Sequence, residues 1–159
     1  MDIQSYLSKR AKEIADLFYQ SVHAIDSSVY SPELKDAWAP TPVNYERWIK
    51  RLNEKKPFLA VIENRVAGFI ELEADGHIDC VYTHPDFQGK GVASTLYEHL
   101  LKEAKSKNIN RLYVEASLIA RSFFEHRGFS VIKQSKVQRS GIYLVNFLME
   151  KHLSPNNQI

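Results

Sequence analysis

The sequence contains one cysteine, Cys80, so no intrachain disulfide can form, and a reducing compartment is the natural expectation. No run approaches the roughly 18 apolar residues of a membrane span. The opening "MDIQSYLSKRAKEI" lacks the apolar core of a signal peptide. These absences lead us to expect a cytoplasmic protein with no membrane partner. The six histidines are scattered without the spacing of a zinc site, so no metal is expected. Neither sign of charge dominates, with 21 Lys plus Arg against 19 Asp plus Glu. A dedicated nucleic-acid surface, which shows as a clustered basic excess, is therefore not expected.

What remains is an ordinary globular composition, 44% hydrophobic over 159 residues, enough for one domain with a sizeable core. We expect that domain over residues 1–153, with a short polar tail at 154–159. No internal repeat or linker divides it. A short strand is expected at "DIQSY". Ala11, Ile14, Ala15, Phe18, Val22 and Ile25 then recur at helical steps. "SPELKDAW" offers Ser31 as a cap and Pro32 at the first helical position. "TPVNYERWIKRL" reads as a further helix carrying Tyr45, Trp48 and Leu52 on one face.

From Pro57 the period changes to that of strands. "FLAVIE" and "VAGFIELE" are joined by an "NR" turn, and "ADG" leads into "HIDCVYT" as a hairpin. "GVASTLYEHLLKEAKSKN" returns to helical spacing with a core-facing stripe. "RLYVEAS" is a strand, and "IARSFFEHR" a short helix stopped by Gly128. "FSVIKQSKV" and "YLVNFLMEK" are strands flanking an "RSG" turn. The order predicts an α/β protein of the α+β type, with a mixed, largely antiparallel sheet of six to seven strands and helices on both faces. Only one strand–helix–strand crossover is evident, at residues 77–116.

The glycines of "HPDFQGKGVAST" lie between a strand and a helix, where phosphate is commonly held. A Walker loop is excluded, because Gly91 follows Gly89-Lys90 and His84 stands five before Gly89. A dinucleotide fingerprint would place Ser94 at its third glycine, and the chain has no second nucleotide-binding half. The remaining pattern is Gln88-x-x-Gly91-x-Ala93 after a strand ending in "VYTHP". With "ARSFFEHRGF" downstream and the matching element order, it resembles the GNAT acyltransferases, the Gcn5-related N-acetyltransferase superfamily. The resemblance spans nearly the whole chain.

The resemblance implies an N-acetyltransferase that moves an acetyl group from acetyl-CoA to an amine of a small molecule or peptide, by direct attack in a ternary complex. The alternative is a non-catalytic acyl-CoA sensor of the same fold. It implies splayed central strands, with the pantetheine arm pairing along the backbone of Val81, Tyr82 and Thr83. A bulge near Cys80 or Val81 would aim an amide at the thioester oxygen. Gln88, Gly89, Lys90, Gly91, Val92, Ala93 and Ser94 would hold the pyrophosphate, and Ser117 and Phe124 would line the pantetheine path. An amine with a pKa near ~10.4 costs about 4.6 kcal/mol to deprotonate at neutral pH, so a base is expected. Asp79 is the first candidate, then Glu71 and Glu73, which strand alternation puts on one face, then His77. The family's proton-donating tyrosine is replaced here by Phe124, leaving Tyr82, Tyr113, Tyr143 or solvent. Trp38, Tyr45 and Trp48 are expected to wall the acceptor site. Homodimers are frequent in the family.

Overall fold

The computed structural model describes residues 1–139 and 141–154. Seven strands form one sheet: β1 (Asp2–Ser5), β2 (Phe58–Ile62), β3 (Arg65–Leu72), β4 (His77–Thr83), β5 (Arg111–Ser117), β6 (Ser130–Arg139) and β7 (Ile142–His152). Their spatial order is β1-β2-β3-β4-β5-β7-β6. Every neighbouring pair is antiparallel except β4 and β5, which are parallel. That parallel pair needs a crossover, supplied by α4 (Val92–Ser106). The remaining helices are α1 (Ala11–His23), α2 (Pro32–Trp38), α3 (Tyr45–Lys55) and α5 (Leu118–Glu125).

The helices form where the apolar period and the caps coincide. Ser31 Oγ accepts from Leu34 N at 3.2 Å, capping α2, and Pro32 follows at the first position as expected. The third helix starts later than "TPVNYERW" suggested, because Asn44 Oδ1 accepts from Arg47 N and fixes the first turn there. The turn between β2 and β3 lies one residue earlier than expected. Glu63 and Asn64 both take positive φ, the pairing a two-residue hairpin demands, and Arg65 already belongs to β3. Gly128 has φ +89° just after α5. The expected "RSG" turn includes Ser140, and the expected tail runs from Ser154; Ser140 and residues 155–159 lie outside the described residues.

Two apolar clusters sandwich the sheet. On one face Val92, Leu96, Tyr97, Leu100 and Ala104 of α4 pack with Phe124 of α5 and with Ile70, Ile78, Leu112 and Met149 of the strands. On the other, Ala11, Ile14 and Leu17 of α1 and Leu52 of α3 cover Leu59, Val61, Val66 and Phe69. Each large side chain so buried contributes on the order of 1.5–3 kcal/mol. The two layers hold β4 and β5 in place where their own pairing gives out.

Candidate active site

The site begins with a failure of strand pairing. β4 and β5 are in register only at His77↔Tyr113 and Ile78↔Val114. Beyond Ile78 the two strands part, while β5 remains fully paired to β7 on its other edge. On the β3 side the register steps from Ile70↔Val81 to Leu72↔Ile78, so β4 carries an extra residue at Asp79–Cys80. The bulge bends β4 away from β5 and opens a wedge.

The free edge of β4 is not uniform. His84 N donates to Ala67 O of β3, and Gln88 Nε2 donates to Thr83 O from the opposite side. Backbone direction alternates along a strand, so Tyr82 spends its peptide groups on β3, whereas those of Val81 and Thr83 face the wedge. Of the three residues expected to pair with a ligand arm, two turn their backbone toward the wedge.

The glycine loop lies at the mouth of the wedge. Gly89 and Gly91 both have φ +75°, and Gly91 caps α4 in this left-handed conformation. A Cβ at either position would meet no protein atom within 4 Å, so the backbone angle, not crowding, is what calls for glycine. None of the N–H groups of Gly89, Lys90 and Gly91 donates to a protein acceptor among the described residues. The first amides of α4 add to them, since a helix start leaves its own N–H groups without partners. This loop therefore fits a pyrophosphate group, held by backbone donors at a positive helix end.

The loop side chains divide by role. Val92 is buried against Gly68 of β3, so only its amide can serve the loop. Ala93 and Gln88 border the cavity. Ser94 Oγ accepts from Arg127 Nη2, and the Arg127 guanidinium lies 3.6 Å over the Phe123 ring. Lys90 is exposed, its Nζ 5.9 Å from the Phe87 ring. Ser117 is the N-cap of α5, its Oγ accepting from Ala120 N at 3.1 Å. Phe124 is fully buried between Phe123 and Phe129, reaching the cavity wall without a polar atom.

Loop and wedge open into one cavity of about 1190 Å³ that continues beneath α1, α2 and α3. Phe18, Tyr19, Trp38 and Trp48 line its far end. Tyr45, expected in this wall, is not there; its hydroxyl donates to Asp16 at 2.5 Å on the outer side of α3. Phe18 takes its place, with its ring 4.8 Å from Trp48 and 4.9 Å from Tyr82. Arg139, which sequence alone left unassigned, also borders the cavity.

The carboxylates expected as bases converge on two cations that sequence reading missed. Arg51 Nη2 lies 2.6 Å from Glu71 Oε1, 3.1 Å from Asp79 Oδ2 and 3.1 Å from Cys80 Sγ. Lys55 Nζ lies 3.0 Å from Glu73 Oε2 and 3.3 Å from Asp79 Oδ2. His77 bridges Glu73 at 2.5 Å and Glu115 at 2.6 Å through its two ring nitrogens. Carboxylates only accept, so both nitrogens must donate and the ring is an imidazolium. Burial alone would lower the His77 pKa, but bonding to Glu73 and Glu115 outweighs it and the net shift is upward. Asp79, Glu71 and Cys80 form one close group of donor-type atoms, and Glu73, His77 and Asp79 another. Arg51 and Lys55 already hold the carboxylates of both.

The candidates differ sharply in basicity and access. Burial raises Asp79, but the Arg51 charge and the Lys55 bond overcome it, leaving its pKa below the ordinary value. Asp79 borders the cavity. For Glu71, burial wins over Arg51 and the pKa is raised. Glu71 is fully buried, however, with Oε2 unpartnered among the described residues, and it lies behind the cavity-lining Arg51 and Cys80. Glu73 faces a separate shallow pocket with Glu54 and Lys55, away from the main cavity. Tyr82 is pressed among Phe18, Trp38 and Phe69, and burial pushes its phenol far up, fixing it as a neutral group. Burial and the Glu71 charge likewise hold Cys80 as a thiol, which leaves it unsuited to nucleophilic attack.

Arg51 was legible in part. With Trp48 and Lys55 it forms an i, i+3 and i, i+4 ridge on α3, but nothing in the sequence says which strand that ridge meets.

The protein-family model for an acetyltransferase (GNAT) domain matches residues 26–152. An uncharacterized N-acetyltransferase of Escherichia coli K12, YafP, is 31% identical over 149 residues, covering 94% of each chain. A GCN5-related N-acetyltransferase from Rhodopseudomonas palustris has a solved structure that superposes with a TM-score of 0.89 at 32% identity, over 96% of this chain and 95% of that one. More distantly, the acetyltransferase yncA of Salmonella typhimurium, solved with acetyl-CoA, shares the fold at a TM-score of 0.72 and 16% identity, over 100% of this chain and 97% of that one. By its sequence, its sheet and the parting of its central strands, this chain belongs to the GNAT acetyltransferase family.

Proposed function

We propose that the protein transfers an acetyl group from acetyl-CoA to the amine of a small molecule or peptide, in a ternary complex without an acyl-enzyme. One observation carries the reading: the unpartnered amides of Gly89, Lys90 and Gly91 lie in the loop between Gln88 and Ala93, which border the same cavity as the free β4 edge at Val81 and Thr83. A pyrophosphate at the loop uses amide donors that the protein leaves unspent, and an extended amide-bearing arm along β4 pairs with the peptide groups of Val81 and the N–H of Thr83. The acetyl-CoA seen with yncA supports the same choice of ligand. A free thiol at Cys80 suits a reducing compartment, and we place the protein in the cytoplasm.

The bulge at Asp79–Cys80 supplies a backbone donor for the thioester oxygen as the acceptor nitrogen attacks. Asp79, held as an anion at the cavity wall, draws in the acceptor ammonium, and its proton leaves through solvent or the Asp79–Glu71 pair. Glu71 has the better-matched basicity and Asp79 the better access, so the base is a property of the Arg51-linked pair. Glu73 serves to fix Lys55 and His77. The aromatic end near Phe18, Trp38 and Trp48 receives the acceptor.

The test is calorimetric titration with acetyl-CoA, with ATP and NAD as controls, followed by thiol release over a panel of peptidyl and small aromatic or aliphatic amines. Selective acetyl-CoA binding with amine-dependent thiol release is expected. Binding without thiol release would favour the acyl-CoA sensor, which Phe124 at the proton donor's usual place keeps in contention. Absence of acetyl-CoA binding would overturn both readings.

A further inference from the structure

Resting on the acetyl-transfer reading, we propose that Tyr30 donates the proton to the departing coenzyme A sulfur, from a different element than the one that carries Phe124. Tyr30 lies between α1 and α2, is 5% exposed and borders the cavity. Its ring stands edge-on to Trp38 at 5.6 Å, which fixes its direction. Its hydroxyl oxygen accepts from the backbone N–H of Leu118 at 3.1 Å, a contact that spans 88 positions of sequence.

That anchor places the hydroxyl at the reacting level of the wedge. Leu118 follows Ser117 at the start of α5. Counting three residues outward from the last registered pair, Ile78↔Val114, Ser117 stands across the gap from Val81, the first residue beyond the Asp79–Cys80 bulge. The Leu118 bond occupies the phenol oxygen as an acceptor and leaves its proton undonated to any protein group among the described residues. The same N–H remains bonded to the phenolate formed when the proton departs, now as a charge-assisted bond.

The other tyrosines either lie off the cavity or are committed elsewhere. Tyr82 is sealed among aromatic rings. Tyr113 donates to Asp75, and Tyr19 shares its hydrogen bond with Thr41. Tyr143 is 62% exposed and off the cavity. Tyr45 donates to Asp16, outside the cavity.

The step balances. The acceptor nitrogen bonds to the acetyl carbon, the C–S bond breaks, and sulfur leaves with the bonding pair. Tyr30 gives that sulfur its proton, producing the free thiol. Solvent returns a proton to the phenolate, matching the one lost by the acceptor nitrogen. Amine and acetyl-CoA become acetamide and coenzyme A.

The experiment compares Tyr30→Phe, and Tyr30→Phe combined with Leu118→Pro, against the unaltered protein. Tyr30→Phe strands the Leu118 N–H, so a loss of Tm is expected. Proline is well tolerated at the first helical position and deletes that donor, so the double variant recovers Tm. A proton donor predicts that kcat falls about ten- to hundredfold in both variants, with KM for acetyl-CoA within about twofold. A second readout needs no acceptor. The thiol of bound coenzyme A, followed by thiolate absorbance against pH, should titrate higher in both variants because the thiolate has lost a hydrogen-bond donor. Recovery of kcat along with Tm in the double variant would make Tyr30 a structural prop and overturn the proposal. So would kcat within about threefold of the unaltered protein and an unmoved thiol titration. Unaltered protein that binds acetyl-CoA yet acetylates no amine would instead overturn the enzyme reading, before any variant is made.

Discussion

The two ends of the cavity are built in opposite ways. The loop end comes from one stretch, Gln88 to Ser94, and acts through backbone amides whose direction is set by φ +75° at two glycines. The other end draws Phe18 from α1, Tyr30 from the following loop, Trp38 from α2, Arg51 from α3 and Asp79 from β4, and presents side chains. A backbone site is tied to local conformation and is insensitive to packing elsewhere. A side-chain site assembled from five segments depends on each segment's docking. Substitutions at the two ends should therefore separate binding from stability.

Arg51→Ala should have the largest effect. It leaves fully buried Glu71 and partly buried Asp79 without their shared cation, and removing one partner of such a pair costs on the order of 3–5 kcal/mol. Denaturant unfolding should show that loss, while acetyl-CoA affinity in the folded fraction stays within about threefold. A matching collapse of affinity would mean that the ends are not independent. Adding Glu71→Gln should restore part of the stability by removing the stranded charge.

Gly91→Val should do the reverse. A β-branched residue at φ +75° is strained by about 1–3 kcal/mol, and the loop relieves this by changing the very angle that aims its amides. Calorimetry should show acetyl-CoA affinity lowered about ten- to hundredfold. The loss of Tm should be small, because the added side chain meets no neighbour. Full affinity in the folded variant would remove the pyrophosphate from this loop.

The smallest effect concerns the paired base of the wedge, where His77 joins Glu73 and Glu115. Its folded pKa is raised above 6.5. Its contribution to stability is therefore fully present below about pH 6.5 and is lost as pH rises through the folded value. Unfolding free energy should decline over that window, and His77→Gln should flatten the decline. An unchanged slope in the variant would show that another group titrates there.

The contrast between the ends also explains what could be read in advance. Strand and helix identity followed from period-2 and period-3.6 patterns, and the α2 cap followed from Ser31 and Pro32. The glycine loop was legible because its conformation needs only a contiguous motif after a strand and before a helix. Tyr45 illustrates the limit. Helical spacing puts it near Trp48, but its position on α3 turns it to Asp16 and away from the cavity. Asp79 was legible as a carboxylate on the splayed strand, but its depressed pKa comes from Arg51, 28 positions earlier.

The sequence alone determined the elements, their order and the position of the glycine loop, because each rests on interactions among residues a few positions apart. Only the tertiary structure decided how far β4 and β5 stay paired, that Arg51 ties Glu71 to Asp79, and that Tyr30 meets Leu118. These contacts close loops of tens of residues, and their partners are selected by the packing of α1, α2 and α3 on the sheet. No local pattern of residues encodes that choice.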